Sequence, residues 1–256
     1  MISKNKIKAI KQLENKKHRR ETGLFVAEGP KVVSDLLETY PAISVIATEP
    51  WFQTHPALQA QETIVVTEEE LRRVSFLQHP QQVMGVFKTP VQTASLTSLC
   101  ERVSQELCLA LDGVQDPGNL GTIIRIADWF GIETIICSLD TADAYSPKVI
   151  QATMGSIARV QVVYTDLVSL IDQLPTGTAI YGTVLDGTDL YHQALESRGL
   201  LVMGNEGNGI TSAVSARLTH RLLIPSYPAE RKTADSLNVA IATAVTCAEF
   251  RRRQTF

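Results

Sequence analysis

"DGVQDPGNLGTIIRIADWFG", residues 112–131, decides how the rest of the chain is read. The apolar run ahead of it, 107–111, ends in two successive turns, Asp112-Gly113 and Asp116-Pro117-Gly118. A helical pattern follows, with Ile123, Ile124, Ala127 and Phe130 on its apolar side. The order is strand, loop, helix. Asn119 stands at the expected helix start, where its side-chain oxygen can cap free amides, and Arg125 lies about one and a half turns further on. The glycines match neither GxGxxG nor GxxxxGK[ST], so no standard phosphate cradle is read here. Two local readings stay open: a capped helix with a solvated arginine, or a helix start that takes a phosphate or a sugar.

Outward from this stretch the same alternation continues. Strand-like runs recur at 107–111, 134–138, 160–164, 179–185, 200–203 and 221–224. Several are continuous apolar runs, as in strands covered on both faces. Helical patterns lie between them: one from Asn119, one with Ser146 as cap and Pro147 in its first turn, one after Thr211-Ser212, and a last one over about 236–253. The pattern predicts an α/β domain with a mostly parallel sheet and helices on both faces. Residues 1–90 alternate on a smaller scale. A short strand at 24–27 turns at Gly29-Pro30 into a helix bearing Val32, Val33, Leu36 and Leu37, and "TEEELRRVSF" holds a Thr67–Glu70 capping box. "AISVIATE", "ETIVVTE" and "VMGVFK" read as further strands of a small α/β domain. The polar, proline-bearing stretch 89–99 marks the linker, so the expected division is 1–90, a linker over 91–106, and 107–256.

Composition narrows the class. Apolar residues make up 44% and charged residues 20%, as in a cored globular protein. Cys100, Cys108, Cys137 and Cys247 are scattered without a CxxC and read as buried thiols of a reducing compartment, which points to the cytoplasm. The five histidines are isolated, so no metal is expected. No run approaches a membrane span, and no apolar segment follows the basic start. Net charge is −3, yet residues 1–20 hold eight Lys/Arg against Glu14. That is either a basic arm for nucleic acid on an acidic body, or a helix whose apolar stripe is Ile7, Ile10 and Leu13.

In open α/β sheets, ligands favour loops beyond the carboxyl ends of the strands. Three segments leave strands into such loops: "LDGVQDPGNLGTIIR", "LVMGNEGNGI" and "LLIPSYPAERKTADSLNVA". Gly204, Gly207 and Gly209 let a backbone approach a flat ligand. Glu206, with no lysine beside it, favours hydrogen bonds to hydroxyls, amides or an arginine. Ser236 and Asn238 open the last helix. Asn, Arg, Glu, Ser and Asn thus gather near one sheet edge without any His, Cys or metal cluster. Group transfer by positioning suits that set better than metal hydrolysis or acyl transfer.

These residues, in this order, resemble the SpoU/TrmH branch of the SPOUT RNA methyltransferases. "DPGNLGTIIRIADWFG", "LVMGNEGNGI" and "LLIPSYPAERKTADSLNVAIATAV" are similar to its three motifs, and the likeness spans 107–250. The first region is similar to the small RNA-binding domain that precedes many members. The resemblance implies methyl transfer from S-adenosyl-L-methionine to a ribose 2′-hydroxyl, in ribosomal RNA ahead of transfer RNA. It also implies a homodimer through the C-terminal domain and a trefoil knot there, which periodicity alone would not suggest. Carried over by position, Thr183, Gly204, Ile224 and Leu237 border the cofactor, while Asn119, Arg125, Glu206, Ser236 and Asn238 form the acceptor side. Family proposals make the first-motif arginine a base. A guanidinium that stays protonated fits better as a grip on phosphate or ribose, with Glu206 and Asn119 fixing its geometry.

One departure stands out. "SYPAERKTAD" separates Pro225 from Ser236, longer than the family's usual third motif and without its glycine. Either it forms a flap offering Arg231 and Lys232 to RNA, or it weakens the site; the "SLNV" that follows favours an active enzyme. Two rival readings are a non-catalytic RNA-binding protein on the same fold and a nucleotide-dependent oxidoreductase. The second lacks GxGxxG and the acidic residue about 20 positions later.

Overall fold

The structure, a computed structural model, describes residues 2–228 and 234–255. The chain forms two compact units: Met1–Val91 with Asp143–Ala158, and Gln92–Ala142 with Arg159–Phe256.

The first unit is built on four strands, β1 (Leu24–Glu28), β2 (Ala42–Ala47), β3 (Glu62–Val65) and β4 (Val83–Lys88), in the order β1-β4-β2-β3. β4 runs antiparallel to β1 and β2, and β2 runs parallel to β3. The helix Glu68–Val74 starts in the expected capping box: the Glu70 amide donates to Thr67 Oγ1 (3.2 Å) and the Thr67 amide to Glu70 Oε2 (3.1 Å). The basic segment folds into two helices, Lys4–Gln12 and Lys16–Thr22, with Ile10 and Leu13 buried. It is docked by its apolar stripe, as the helical reading had it, and one of its basic residues serves the interior. Arg19 is 5% exposed and donates to the carbonyls of Leu13 and Glu14 (2.7 Å each) and to Asp143 Oδ2 (2.6 Å).

Asp143 introduces a segment that the sequence division placed with residues 107–256. Residues 143–158 pack in the first unit instead. Tyr145 lies 5.0 Å from the Phe25 ring, and the Tyr40 hydroxyl donates to the Ile157 carbonyl (3.0 Å). Within it the helix Pro147–Thr153 has Ser146 as cap and Pro147 in its first turn, as expected. The assignment depends on partners more than a hundred positions away, which no local pattern carries.

The second unit holds six strands: β5 (Leu107–Asp112), β6 (Thr134–Cys137), β7 (Gln161–Tyr164), β8 (Ile180–Asp189), β9 (Gly199–Gly204) and β10 (His220–Leu223). They are ordered β10-β8-β9-β5-β6-β7, and every pairing is parallel. β5 and β9 are buried along nearly their whole length, which explains their unbroken apolar sequence. Helices flank the sheet, including Pro117–Trp129 and Val239–Thr255, which pack on each other. The expected linker 91–106 needs correcting. Residues Leu96–Gln105 form a helix capped by Ser95, and Leu99, Cys100 and Val103 join the core containing Cys108, Ala110, Ile136 and Val202. Their i, i+1, i+4 spacing is helical; the polar run ahead of it concealed the start.

Candidate active site

The carboxyl ends of β5, β9, β8 and β10 meet along one edge of the second unit. β5 ends at Asp112, whose Oδ2 accepts the Thr211 amide (2.7 Å) and so ties the loop after β9 to the loop after β5. Gly113, at φ 74°, turns the chain there, with its amide on Ser138 Oγ (2.9 Å).

The helix that follows begins two residues before Asn119. Asp116 is its cap, accepting the Asn119 amide (2.8 Å), and Pro117 occupies the first helical turn. Proline belongs at that position because its missing N–H would be unpaired there anyway, which moves the cap to the preceding residue. Asn119 was therefore misread as the cap. Its side chain is free for other work: Nδ2 donates to Glu206 Oε1 (2.9 Å), and Oδ1 accepts Asn238 Nδ2 (2.9 Å). Asn238 Oδ1 in turn accepts the amides of Ala240 and Ile241 (3.0 and 3.2 Å), capping the helix Val239–Thr255. One run of hydrogen bonds passes from a helix start through two amides to a carboxylate, joining three loops distant in sequence.

Arg125 is on the exposed side of its helix, opposite the buried Ile123, Ile124 and Ala127. It is hydrogen-bonded to none of the described residues, so Asn119 and Glu206 do not hold it here. Ser236 is likewise exposed and forms no hydrogen bond to the described residues. The structure thus brings Asn119, Glu206 and Asn238 together and leaves Arg125 and Ser236 without hydrogen bonds to them. Arg231 and Lys232 lie outside the described residues.

The loop after β9, which carries Glu206, is closed by its own backbone. Asn205 and Gly209 exchange both backbone hydrogen bonds (2.9 and 3.0 Å). A Cβ on Gly204 would stand 2.3 Å from the Gly209 carbonyl carbon and the Ile210 nitrogen, so only glycine permits this closure. Sequence reasoning missed Asn205. Its Oδ1 accepts the amides of Gly207 and Asn208 (2.9 and 3.0 Å), and its Nδ2 donates to the Gly113 carbonyl (2.6 Å). The Asx-type turn signal was present, masked by the glycines around it.

β8 contributes an excursion. Opposite the adjacent residues Arg221 and Leu222 of β10, its register jumps from Gly182 to Thr188, leaving 183–187 out of that pairing. Gly187 closes the loop against the backbone of Arg221 and Leu222, where a Cβ would meet atoms at 2.7–2.9 Å. Arg221 holds it from the other side, donating to Asp186 Oδ1 (2.5 Å) and Ser215 Oγ (3.0 Å). The ion pair keeps the Asp186 carboxyl below the usual carboxylate range, the Arg221 hydrogen bond being the main cause. Thr183 Oγ1 lies 3.6 Å from Met203 Sδ. Ile224 follows β10 directly and is partly buried, and Leu237 is exposed. Among the described residues no group of three or more His, Cys, Asp or Glu is arranged to hold a metal ion.

With this geometry described, likeness to known proteins is informative. Residues 106–248 match the SpoU rRNA Methylase family, and residues 4–85 match the MRM3-like substrate binding domain. Over 243 residues the chain is 31% identical to the 23S rRNA (guanosine(2553)-2'-O)-methyltransferase RlmP of Bacillus subtilis, covering 94% of this chain and 93% of that protein. A TrmH-family structure from Porphyromonas gingivalis matches with a TM-score of 0.87 and 39% identity across 99% of both chains. An AdoMet-bound rRNA methyltransferase from Sinorhizobium meliloti matches with a TM-score of 0.84 and 31% identity, over 100% of this chain and 98% of that one. A family match over more than half the sequence and a relative aligned over nearly all of it lead to the same conclusion: the chain belongs to the SpoU/TrmH family of RNA methyltransferases.

Proposed function

We propose that the chain transfers a methyl group from S-adenosyl-L-methionine to a ribose 2′-hydroxyl of ribosomal RNA. The observation that carries this reading is the amide run from Asn238 through Asn119 to Glu206, which joins the three motif loops at one sheet edge. The name of the Bacillus subtilis relative favours ribosomal over transfer RNA.

The cofactor side fits its proposed occupant. Thr183, Gly204, Ile224 and Leu237 stand at the ends of neighbouring strands, and the close backbone approaches at Gly187 and Gly204 support a site built of backbone for a flat adenosine. When bound, S-adenosyl-L-methionine supplies an electrophilic methyl on a cationic sulfur. The protein's own part is orientation, since a 2′-hydroxyl is a weak nucleophile that must be lined up behind that methyl. Glu206 keeps one carboxylate oxygen on Asn119 Nδ2 and has the other to accept the ribose hydroxyl proton, which turns the oxygen lone pair towards the methyl. Arg125, exposed and unpaired among the described residues, grips the RNA phosphate as a planar fork. Ser236 adds a hydroxyl on the same side. Being permanently protonated, the guanidinium positions RNA and takes no proton.

The same reading includes a trefoil knot within 107–256, a homodimer through that domain and a cytoplasmic setting. Support for the dimer comes from large apolar side chains left open on the paired helices: Trp129 is 84% exposed and Ile241 54%. Support for a reducing compartment comes from the four cysteines, all buried free thiols.

The test is methyl incorporation from labelled cofactor into ribosomal RNA of a strain lacking the protein, followed by digestion to nucleosides. A labelled 2′-O-methylnucleoside is expected. Calorimetric binding of cofactor with no incorporation into ribosomal or transfer RNA would leave a non-catalytic RNA-binding protein.

A further inference from the structure

The first unit carries two polar surfaces of different chemistry. On the helices Lys4–Gln12 and Lys16–Thr22, much of the positive charge is engaged. Lys6 pairs with Glu62, Lys11 donates to the Ser75 carbonyl, Lys17 lies 3.9 Å from Glu21, and Arg19 is buried. Lys4, Lys8, Lys16 and Arg20 remain exposed and unpaired among the described residues. Four dispersed charges hold phosphates and carry no information about bases.

The other surface is the loop "QHPQQ", residues 78–82, which leads into β4. Gln78, His79, Gln81 and Gln82 are exposed, and their side chains are hydrogen-bonded to none of the described residues. The backbone beneath them is firmly fixed. Buried Glu28 accepts the Ser75 hydroxyl and the Phe76 amide (2.8 Å), Ser75 Oγ accepts the Leu77 amide (3.0 Å), and Lys11 stands 4.8 Å over the Phe76 ring. At the other end, the Gln81 carbonyl accepts the Val83 amide in a three-residue turn with Gln82 at φ 48°, and the Gln82 carbonyl accepts the Thr48 amide (2.9 Å). A non-glycine residue is seldom held there. The loop borders a hollow of about 230 Å³ lined by Pro30, Leu71, Arg72, Pro80, Gln81 and Gln82, with the single carboxylate of Glu68. It is smaller than the ~300–1,000 Å³ pockets of drug-sized ligands and suits one flat ring.

We infer that this hollow reads one unpaired base of the RNA substrate, while the basic helices contribute only phosphate contacts. The inference rests on the RNA reading above and deepens it. Each free side-chain amide carries a donor and an acceptor side by side, the pair that a base edge requires, on a loop whose two ends are tied by the hydrogen bonds above. Unpaired bases are where RNA sequence is recognised, stacked on a flat group such as the Arg72 guanidinium and bonded along their edges. A phosphate site would need more cationic donors than Arg72 beside Glu68.

The test is fluorescence titration of the full chain with four single-stranded RNA oligonucleotides of equal length, one for each base. The wild type is expected to prefer one of the four by about 5- to 150-fold, the discrimination a bidentate amide–base pair provides. In the variant Gln78→Ala/Gln81→Ala/Gln82→Gly the preference should vanish while the salt dependence is kept; glycine at 82 retains the positive φ. In Lys8→Ala/Lys16→Ala the preference should stay, all four affinities should fall together, and the slope of log K against log salt should shrink by about 1.4. Equal binding of all four oligonucleotides by the wild type, or a preference surviving the glutamine changes in a variant that melts like the wild type, overturns the inference. These titrations need no methyl transfer. A wild type that prefers one base and methylates no RNA defeats the catalytic reading alone, and one that methylates ribosomal RNA without base preference defeats this one alone.

Discussion

Arg19 in the first unit is 5% exposed and gives four hydrogen bonds, whereas Arg125 in the second is exposed and gives none to the described residues. Both sit in or near helices flanked by apolar residues, and a sequence reader would sooner assign the first, one of a cluster of eight cations, to nucleic acid. The reading proposed above reverses that assignment. A buried guanidinium with all its carbonyl and carboxylate partners in place is structural, and removing it strands those partners. An exposed guanidinium with no hydrogen bond to the described residues retains its donors for a ligand.

The sharpest way to break this contrast is to remove each arginine and measure both properties. Arg125→Ala should lower methyl transfer by about 10²-fold, the loss typical of a misplaced substrate, and leave the melting temperature unchanged. Arg125→Lys should restore little, because an ammonium cannot reproduce the planar fork. Near-normal methylation by the lysine variant would remove the role given to the fork. Arg19→Ala should do the opposite, costing about 3 kcal/mol as an incompletely exposed ion pair is broken. That corresponds to a melting point roughly 10 °C lower in scanning calorimetry, with any surviving folded protein methylating normally. A variant that melts like the wild type but binds RNA poorly would move Arg19 to the functional side.

Asn119 tests the second unit from within. Asn119→Ala removes two side-chain hydrogen bonds, worth about 1–3 kcal/mol together, and should reduce kcat by about 10- to 100-fold with a smaller change in KM. Asn119→Asp is expected to be worse, since it sets a second carboxylate 2.9 Å from the Glu206 oxygen it now binds. Equal loss in both kcat and RNA affinity would make Asn119 a binding contact and not a positioning residue.

How much of this was legible beforehand differs between the units for a physical reason. In the second unit all six strands were readable: β5, β6 and β9 are buried along nearly their whole length and so almost entirely apolar, and β7, β8 and β10 each still carry a short apolar run. The Thr67–Glu70 box and the Ser146-Pro147 start were readable because caps are local chemistry. The Asn119–Glu206–Asn238 junction was legible only coarsely: the strand-end argument and the resemblance placed the three residues near one sheet edge, but their hydrogen bonds span 87 and 119 positions, and no local pattern carries them. Asp116 was passed over as cap although Pro117 marked the first turn beside it. In the first unit, the placement of residues 143–158 and the burial of Arg19 both rest on long-range partners, among them the Arg19–Asp143 pair 124 positions apart. No periodicity reports on a partner that distant.

The smallest expected effect separates the units by pH. In the second unit, Glu249 is held well below the usual carboxylate range, to about 2, by hydrogen bonds from Arg252 and Arg253. A depressed folded-state pKa means the unfolded chain takes up protons first. The stability Glu249 contributes is therefore complete above about 4.5, the carboxyl's ordinary value, and lost as pH falls towards 2. Glu28 in the first unit is shifted the other way: burial raises its pKa, against the lowering effect of the Ser75 and Phe76 hydrogen bonds. Here the folded state holds the proton more tightly, so the cost of its charge is absent in acid and appears as pH rises through the raised value. Between pH 7 and 3 the melting points of Glu249→Gln and wild type should converge as acid removes the advantage of the native carboxylate. Those of Glu28→Gln and wild type should change in the opposite sense, the glutamine variant gaining ground as pH rises. Trp51, buried in the first unit, reports that unit by fluorescence once exposed Trp129 is changed to Phe. Parallel pH dependence in the two variants would show that the two carboxylates share one environment in solution, and the contrast between the units would then end at their arginines.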